Sequence, residues 1–352
     1  MLQPYLYKRH PVQMAQSFVN YLFLEVIFRA PRLRNKVFSP SMVKPLNYRN
    51  LIEEVNSKYM LIPLKKIYSK CKNLPRKDIK ILRRAVLANN RIEELCGAKY
   101  TPVLYSDLEA IDKELSNAIK NFCTNLYNHV MPSATFIQIF GSVSQYYKIL
   151  AGNGHACHFC GMDGIISQYE KKRSALDHYL AKSLYPFTSV NFHNLVPACE
   201  KCNTTYKRDK NILFLKPPKK HKTVLAARVK AFYPFCDDTS NIGIAVKFNR
   251  PYKDDFSPDD FDMIIQSADA QQETENWRRI YNIDSRYKAY CCSDTMKSYI
   301  EHQFIAFVNE GLPPHEYINS LKTNPMNEQN FLKIPFLENV KTIFDPLEKK
   351  KD

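Results

Sequence analysis

A chain of 352 residues exceeds what one hydrophobic core ordinarily serves, and 45% apolar with 12% aromatic residues excludes a disordered polypeptide. The formal charge of +16 is uneven: 23 basic against 10 acidic residues over 1–150, 12 against 5 over 151–222, and 16 against 20 over 223–352. The first two thirds therefore suit a polyanion, although a ribosomal or membrane surface would also accept such a charge, while the last third excludes itself from that role.

The first apolar run, Ser17–Phe28 after Lys8, Arg9 and His10, is interrupted by Asn20 and Glu25. It lacks a small-residue cleavage site and is too short to span a bilayer, so it reads as a buried helix rather than an export signal. The cytoplasm is the expected compartment, with no membrane. A second helix is expected from Pro75, burying Ile79, Leu82, Val86 and Leu87; Arg76, Lys77, Lys80, Arg83 and Arg84 lie outward as a solvated face or a phosphate track. Ser106-Asp107-Leu108-Glu109 has the form of a capping box, and Leu108, Ile111, Leu115, Ile119, Phe122 and Leu126 continue as one helical stripe that must stop before Pro132. Residues 134–150 read as a core-facing lead into a cysteine-bearing module.

Cys157-His158-Phe159-Cys160 and Cys199-Glu200-Lys201-Cys202 are two CxxC pairs. This spacing lets one tight turn present two thiolates to one ion, and two such turns complete a tetrahedron. Four thiolates leave no open position, so a zinc ion here is structural; two unrelated reduced pairs or a redox CxxC are the alternatives. His155 and His158 stand close enough in sequence to act as substitute ligands. The other cysteines (Cys71, Cys96, Cys123, Cys236, Cys291, Cys292) read as reduced thiols. Beyond Lys216–Lys222, a basic, proline-containing boundary, Gly243–Phe248 alternates as a strand. Glu275–Tyr281 and Thr295–Val308 read as helices, and a charged tail begins at Glu348.

Between the cysteine pairs stand Asp177-His178, Lys182-Ser183, Asn194-Leu195 and Pro197, and Cys202 is followed by Asn203 and Lys207. In this order the residues resemble the four-cysteine branch of the HNH (ββα-metal) endonucleases, over about 55 residues. Two departures are visible: Ala181 replaces a common proline, and the helix-borne lysine falls one residue late, at Lys207. Together with the residue patterns on either side, this gives an expected α+β chain: a helical basic domain at 1–150, a module at 151–222 that the resemblance makes a zinc-stapled nuclease, and a mixed domain at 223–352. The resemblance also implies roles for residues. His178 would be the general base, and Asp177 and Asn203 would be oxygen ligands for a catalytic Mg²⁺ or Mn²⁺ ion. Asn194 would brace the loop behind His178, and Lys207, Arg208 and Lys210 would face phosphates. A phosphodiester in nucleic acid is the implied substrate, DNA ahead of RNA, cut to 5′-phosphate and 3′-hydroxyl ends.

The surrounding chain, through Tyr185-Pro186-Phe187, Phe232-Tyr233-Pro234 and Trp277 with Arg286-Tyr287, resembles longer bacterial HNH proteins of anti-phage defence, including Septu-like and retron-associated systems. That resemblance implies an ATPase partner. Two non-catalytic alternatives remain open: a zinc-scaffolded nucleic-acid binder, and an interaction subunit of a defence complex. His193 has no assigned duty beyond a loop position, although it stands near enough in sequence to assist a metal or phosphate.

Overall fold

The structure, a computed structural model, describes residues 3–33, 35–215, 226–236 and 241–343. The boundary expected at Lys216–Lys222 and the tail from Glu348 lie outside them. The fold is mixed α+β, with a helical N-terminal part and two small antiparallel sheets among the described residues. The chain divides into two compact units: Pro4–His155 with Ile165–Asp237, and Met1–Gln3 with Ala156–Gly164 and Asp238–Asp352.

In the first unit a run of helices precedes a short hairpin: α1 (Ala15–Tyr21), α2 (Leu46–Glu54), α3 (Leu61–Cys71), α4 (Arg76–Asn89), α5 (Ile92–Cys96), α6 (Tyr105–Glu109), α7 (Lys113–Asn125), α8 (Ala134–Phe140) and α9 (Val143–Ala151). The N-terminal apolar run is helical throughout, passing from α1 into a π-helical turn and then a 3₁₀ turn, with Phe18, Leu22, Phe23, Ile27 and Phe28 buried. Helix α4 follows Pro75 as expected and buries Ile79, Leu82 and Val86, but Leu87 is 52% exposed, one position off the apolar stripe.

The stripe from Leu108 to Leu126 belongs to two helices, not one. Asp112 interrupts it, its Oδ1 accepting from the backbone N–H of Glu114 and Leu115 at 2.8 and 3.0 Å, which starts α7 afresh. The box expected at Ser106 is absent; Asp107 instead accepts from the N–H of Leu104 at 2.8 Å. Helix α8 is capped by Ser133 and ends at Gly141, whose φ of +87° a side chain would resist, the more so because a Cβ there would lie 3.2 Å from the His10 ring. Phe136, Phe140, Tyr146 and Tyr147 face inward over 134–150, while Ile137 and Ile149 are exposed. Strands β1 (Leu176–His178) and β2 (Leu195–Pro197) then pair antiparallel, His178 opposite Leu195.

The second unit carries β3 (Ile242–Phe248) and β4 (Phe261–Ser267), paired antiparallel with Ile244 opposite Ile265. Strand β4 buries every second residue, the two-residue period of a half-covered strand. Helices α10 (Gln271–Tyr281), α11 (Ile283–Cys291), α12 (Asp294–Tyr299), α13 (Ala306–Asn309), α14 (Pro314–Lys322) and α15 (Asn330–Val340) complete it. Phe336 of α15 packs against Phe248, Phe256 and Phe261.

The segment Ala156–Gly164 is held by that unit. Trp277 Nε1 donates to the Phe159 carbonyl at 2.6 Å, Tyr287 OH to the Cys160 carbonyl at 2.9 Å, and Gln329 Nε2 to the Met162 carbonyl at 3.0 Å. Arg286 pairs with Asp163 at 3.2 Å, and the Phe159 ring stacks on Tyr281. Among the described residues no helix is long and apolar enough to cross a membrane.

Candidate functional site

Cys157-His158-Phe159-Cys160 closes as a tight turn. The N–H groups of Cys160 and Gly161 both donate to the Cys157 carbonyl, at 3.1 and 2.6 Å, and Gly161 takes a φ of +68°. The sulfur atoms of Cys157, Cys160, Cys199 and Cys202 all lie within 4.8 Å of one another and are buried. Four sulfurs around one zinc at about 2.3 Å stand roughly 3.8 Å apart, so the group fits a tetrahedral structural zinc. His155 and His158 are not in this group. Burial pushes the thiol of Cys71 up to about 12 and that of Cys123 to about 11, which keeps them as unreactive thiols.

Asp177 and His178 end β1 with both side chains buried. His178 Nε2 lies 2.9 Å from the Ser189 carbonyl. A carbonyl only accepts, so Nε2 carries the proton and Nδ1 keeps the lone pair. Burial, with Lys182 and Lys207 adding repulsion, pushes this imidazole down to about 3, so it is neutral near pH 7. The Tyr127 ring meets it edge-on at 4.4 Å between centroids.

The loop between the strands is braced from within. Asn194 Oδ1 accepts from the Leu180 N–H at 2.6 Å, and its Nδ2 donates to the carbonyls of Leu180 and Thr188 at 3.0 and 3.4 Å. Phe187 sits at a φ of +67°, a backbone conformation unfavourable for a bulky residue, and its buried ring packs edge-on against Phe23 at 4.7 Å. These interactions fix the carbonyl of Ser189 in front of His178. His193 stacks on Tyr7 with centroids 4.3 Å apart, and its Nδ1 lies 2.6 Å from the Tyr233 hydroxyl.

The segment after the second CxxC, Lys201–Lys207, winds as a π-helix, and the Arg208 N–H reaches the Asn203 carbonyl five residues back at 3.0 Å. This wider turn holds one residue more than an α-turn and carries Lys207 inward. Expected on an outer face towards phosphates, Lys207 is instead fully buried, its ammonium 2.9 Å from Asp177 Oδ1 and 2.7 Å from the His178 carbonyl. It cannot reach a phosphate from there. Arg208 is exposed, and Lys210 is half-buried in the turn beyond.

Asp177, His178 and Asn203 line one concavity of about 460 Å³, with Tyr127, Lys182 and Arg208 around them. Burial holds the Asp177 carboxyl above the usual carboxylate range, and the Lys207 ammonium opposes this only in part. Lys207 engages only one carboxylate oxygen; among the described residues the other, Oδ2, is buried without a hydrogen-bond donor. A buried carboxylate oxygen without a donor is costly, and Asn203, which carries a side-chain amide oxygen, lines the same concavity.

Lys182, for which residue order alone suggested no duty, has its ammonium 4.4 Å from the centre of the Tyr127 ring and 3.3 Å from Asn128 Oδ1, and burial lowers its pKa. Its signal was its place two residues beyond the Tyr179-Leu180 pair that succeeds Asp177-His178. The Ser189 carbonyl left no signal, because it is backbone. No protein-family model, curated protein or solved structure matches this chain.

Proposed function

We propose that this chain is a metal-dependent nuclease of the HNH type that hydrolyses phosphodiester bonds in nucleic acid, DNA ahead of RNA. The observation carrying this reading is the concavity shared by Asp177, His178 and Asn203, with the Asp177 Oδ2 left without a donor. His178 Nδ1, its ring oriented by Ser189, takes the proton of the attacking water. Asp177 and Asn203 would hold Mg²⁺ or Mn²⁺, which when bound neutralises charge developing on the phosphate and the leaving oxygen. Lys182 and Arg208 attract and orient the substrate phosphate. Lys207 offsets part of the cost of burying Asp177 and aims its carboxylate, and the four-cysteine zinc secures the second CxxC immediately before Asn203.

One observation favours a non-catalytic, zinc-scaffolded nucleic-acid binder: an imidazole pushed down to about 3 is a weak base. Incubating the full chain with duplex DNA, single-stranded DNA and RNA, with Mg²⁺, with Mn²⁺ or without either, separates the two. A nuclease cuts at least one substrate only with metal, and His178→Ala abolishes cutting while binding persists. Binding without cleavage under every condition supports the second reading. The defence context would add an ATPase partner, tested by co-purification from the native host.

A further inference from the structure

Helix α4 places Lys80, Arg83, Arg84 and Leu87 along one stripe beside its buried Ala88, and with Arg91, two residues past its end, these residues line a concavity of about 480 Å³ closed by Tyr100 and Thr101. No carboxylate is in its wall, and among the described residues none of the four cations pairs with one. Lys80 and Arg84, one turn apart, repel each other, so the face is electrostatically uncompensated. An ordinary solvated helix surface would intersperse acids and let its side chains roam. Here three guanidinium groups are held: Arg83 donates to the Leu24 carbonyl at 2.9 Å, Arg84 to the Thr101 carbonyl at 3.4 Å, and Arg91 lies 4.8 Å over the Tyr100 ring and bonds its hydroxyl. Leu87 and Tyr100 are 52% and 41% exposed beside them, which offers apolar surface to a sugar or base edge.

The inner side of the same helix is fastened to the catalytic loop. Asn89 Nδ2 donates to the Pro186 carbonyl at 3.2 Å, and Asn191 Nδ2 donates to the Asn90 carbonyl and side chain at 3.2 and 3.0 Å. The loop so held is the one that presents Ser189 to His178. A strand gripped on the outside of α4 is thus carried on the element that orients the candidate base.

We propose that the α4 concavity is a sequence-independent grip for the phosphodiester backbone of the nucleic-acid substrate, away from the bond that is cut. This rests on the nuclease reading for the identity of the ligand but not for its test. Backbone interactions of this kind position a nucleic acid without reading bases, and each neutralised phosphate contributes to the salt dependence of binding.

The test is fluorescence anisotropy of an end-labelled 20-base-pair DNA duplex with the full chain, without added divalent metal, over a salt series. Compared are wild type, Lys80→Gln/Arg84→Gln/Arg91→Gln, the single variant Lys80→Gln, and the charge-preserving Lys80→Arg. Arg83 is left alone because it also supports Leu24. The triple variant should bind on the order of tenfold or more weakly at 0.1 M salt, with a log–log slope shallower by about 0.9 for each phosphate no longer neutralised. Lys80→Gln should show a fraction of that loss, and Lys80→Arg none. A wild-type affinity and slope in both glutamine variants, with unchanged melting temperatures, overturns the proposal. So does poly-glutamate binding as tightly as DNA with the same dependence on these residues. The proposal stands if the slopes change but no metal yields cleavage, in which case the nuclease reading alone has failed. Metal-dependent cleavage with unchanged slopes fails the α4 grip and leaves the nuclease reading intact.

Discussion

The ammonium of Lys207 lies 2.9 Å from Oδ1 of Asp177, with the two side chains 0% and 4% exposed. A buried ion pair adds little net stability over an apolar pair, but removing one partner strands the other. Lys207→Met should therefore cost about 3–5 kcal/mol in urea unfolding, and Asp177→Asn in that background should restore part of it. A surface lysine would show an effect within about 0.5 kcal/mol, which would place Lys207 outside the site.

The four-sulfur cluster predicts one zinc per chain by elemental analysis of the purified protein. Cys202→Ala should lower that ratio well below one and destabilise the chain strongly, since a structural zinc contributes on the order of 10 kcal/mol in apparent binding. Cobalt substitution should give thiolate-to-metal charge-transfer bands. Full zinc retention in Cys202→Ala would rule out a common four-cysteine ion.

Asn194 has no solvent exposure and makes three side-chain hydrogen bonds across the loop. Asn194→Ala leaves the Leu180 N–H and two carbonyls without that partner, a loss of roughly 2–4 kcal/mol by denaturant unfolding. Cleavage should fall as well, because the Ser189 carbonyl that holds the His178 ring is in the same braced loop.

His178→Ala should reduce metal-dependent cleavage roughly a hundredfold to ten-thousandfold, the range for loss of a general base, without weakening DNA binding. Lys182→Gln should reduce cleavage less and chiefly through KM, since an ammonium at the mouth of the concavity binds phosphate in ground and transition states alike. Equal activity in wild type and His178→Ala would remove the imidazole from the chemistry.

Asp112 is held below the usual carboxylate range, first by the Leu115 N–H and, after the opposing effect of burial, by Lys70 and the Glu114 N–H. A depressed folded value means that stability is present above the unfolded pKa of about 3.9 and is lost as pH falls through the folded one. Asp112→Ala should cost about 1 kcal/mol at pH 7 as a lost helix cap. The gap between the two proteins should narrow as pH falls from about 4 to about 2 in thermal melts; a constant gap would mean the carboxylate does not act through its charge.

Much of this molecule is written in residue order alone. The two CxxC spacings required little beyond a tight turn, and their sulfurs converge. The strand over Gly243–Phe248, the helices from Pro75 and over Glu275–Tyr281, and the buried N-terminal run follow from periodicities of two and 3.6 residues, which local sequence encodes directly. Asp177, His178 and Asn203 reach one concavity because a short hairpin and the segment after it leave few ways to arrange them.

Tertiary structure decided what periodicity does not carry. Asp112 broke one apolar stripe into two helices, because its side chain captured two backbone N–H groups that a continuous helix would have bonded. Trp277, Arg286 and Tyr287, read as marks of a defence protein, hold the turn of the first CxxC across more than a hundred residues of chain. Lys207 turned inward because a π-turn places its ammonium where a buried carboxylate needs a counter-charge, and that need exists only once the chain has closed around Asp177. Sequence thus set which polar groups the chain brings together around Asp177; burial, which only the folded chain creates, set which of them face the pocket and which support it from behind.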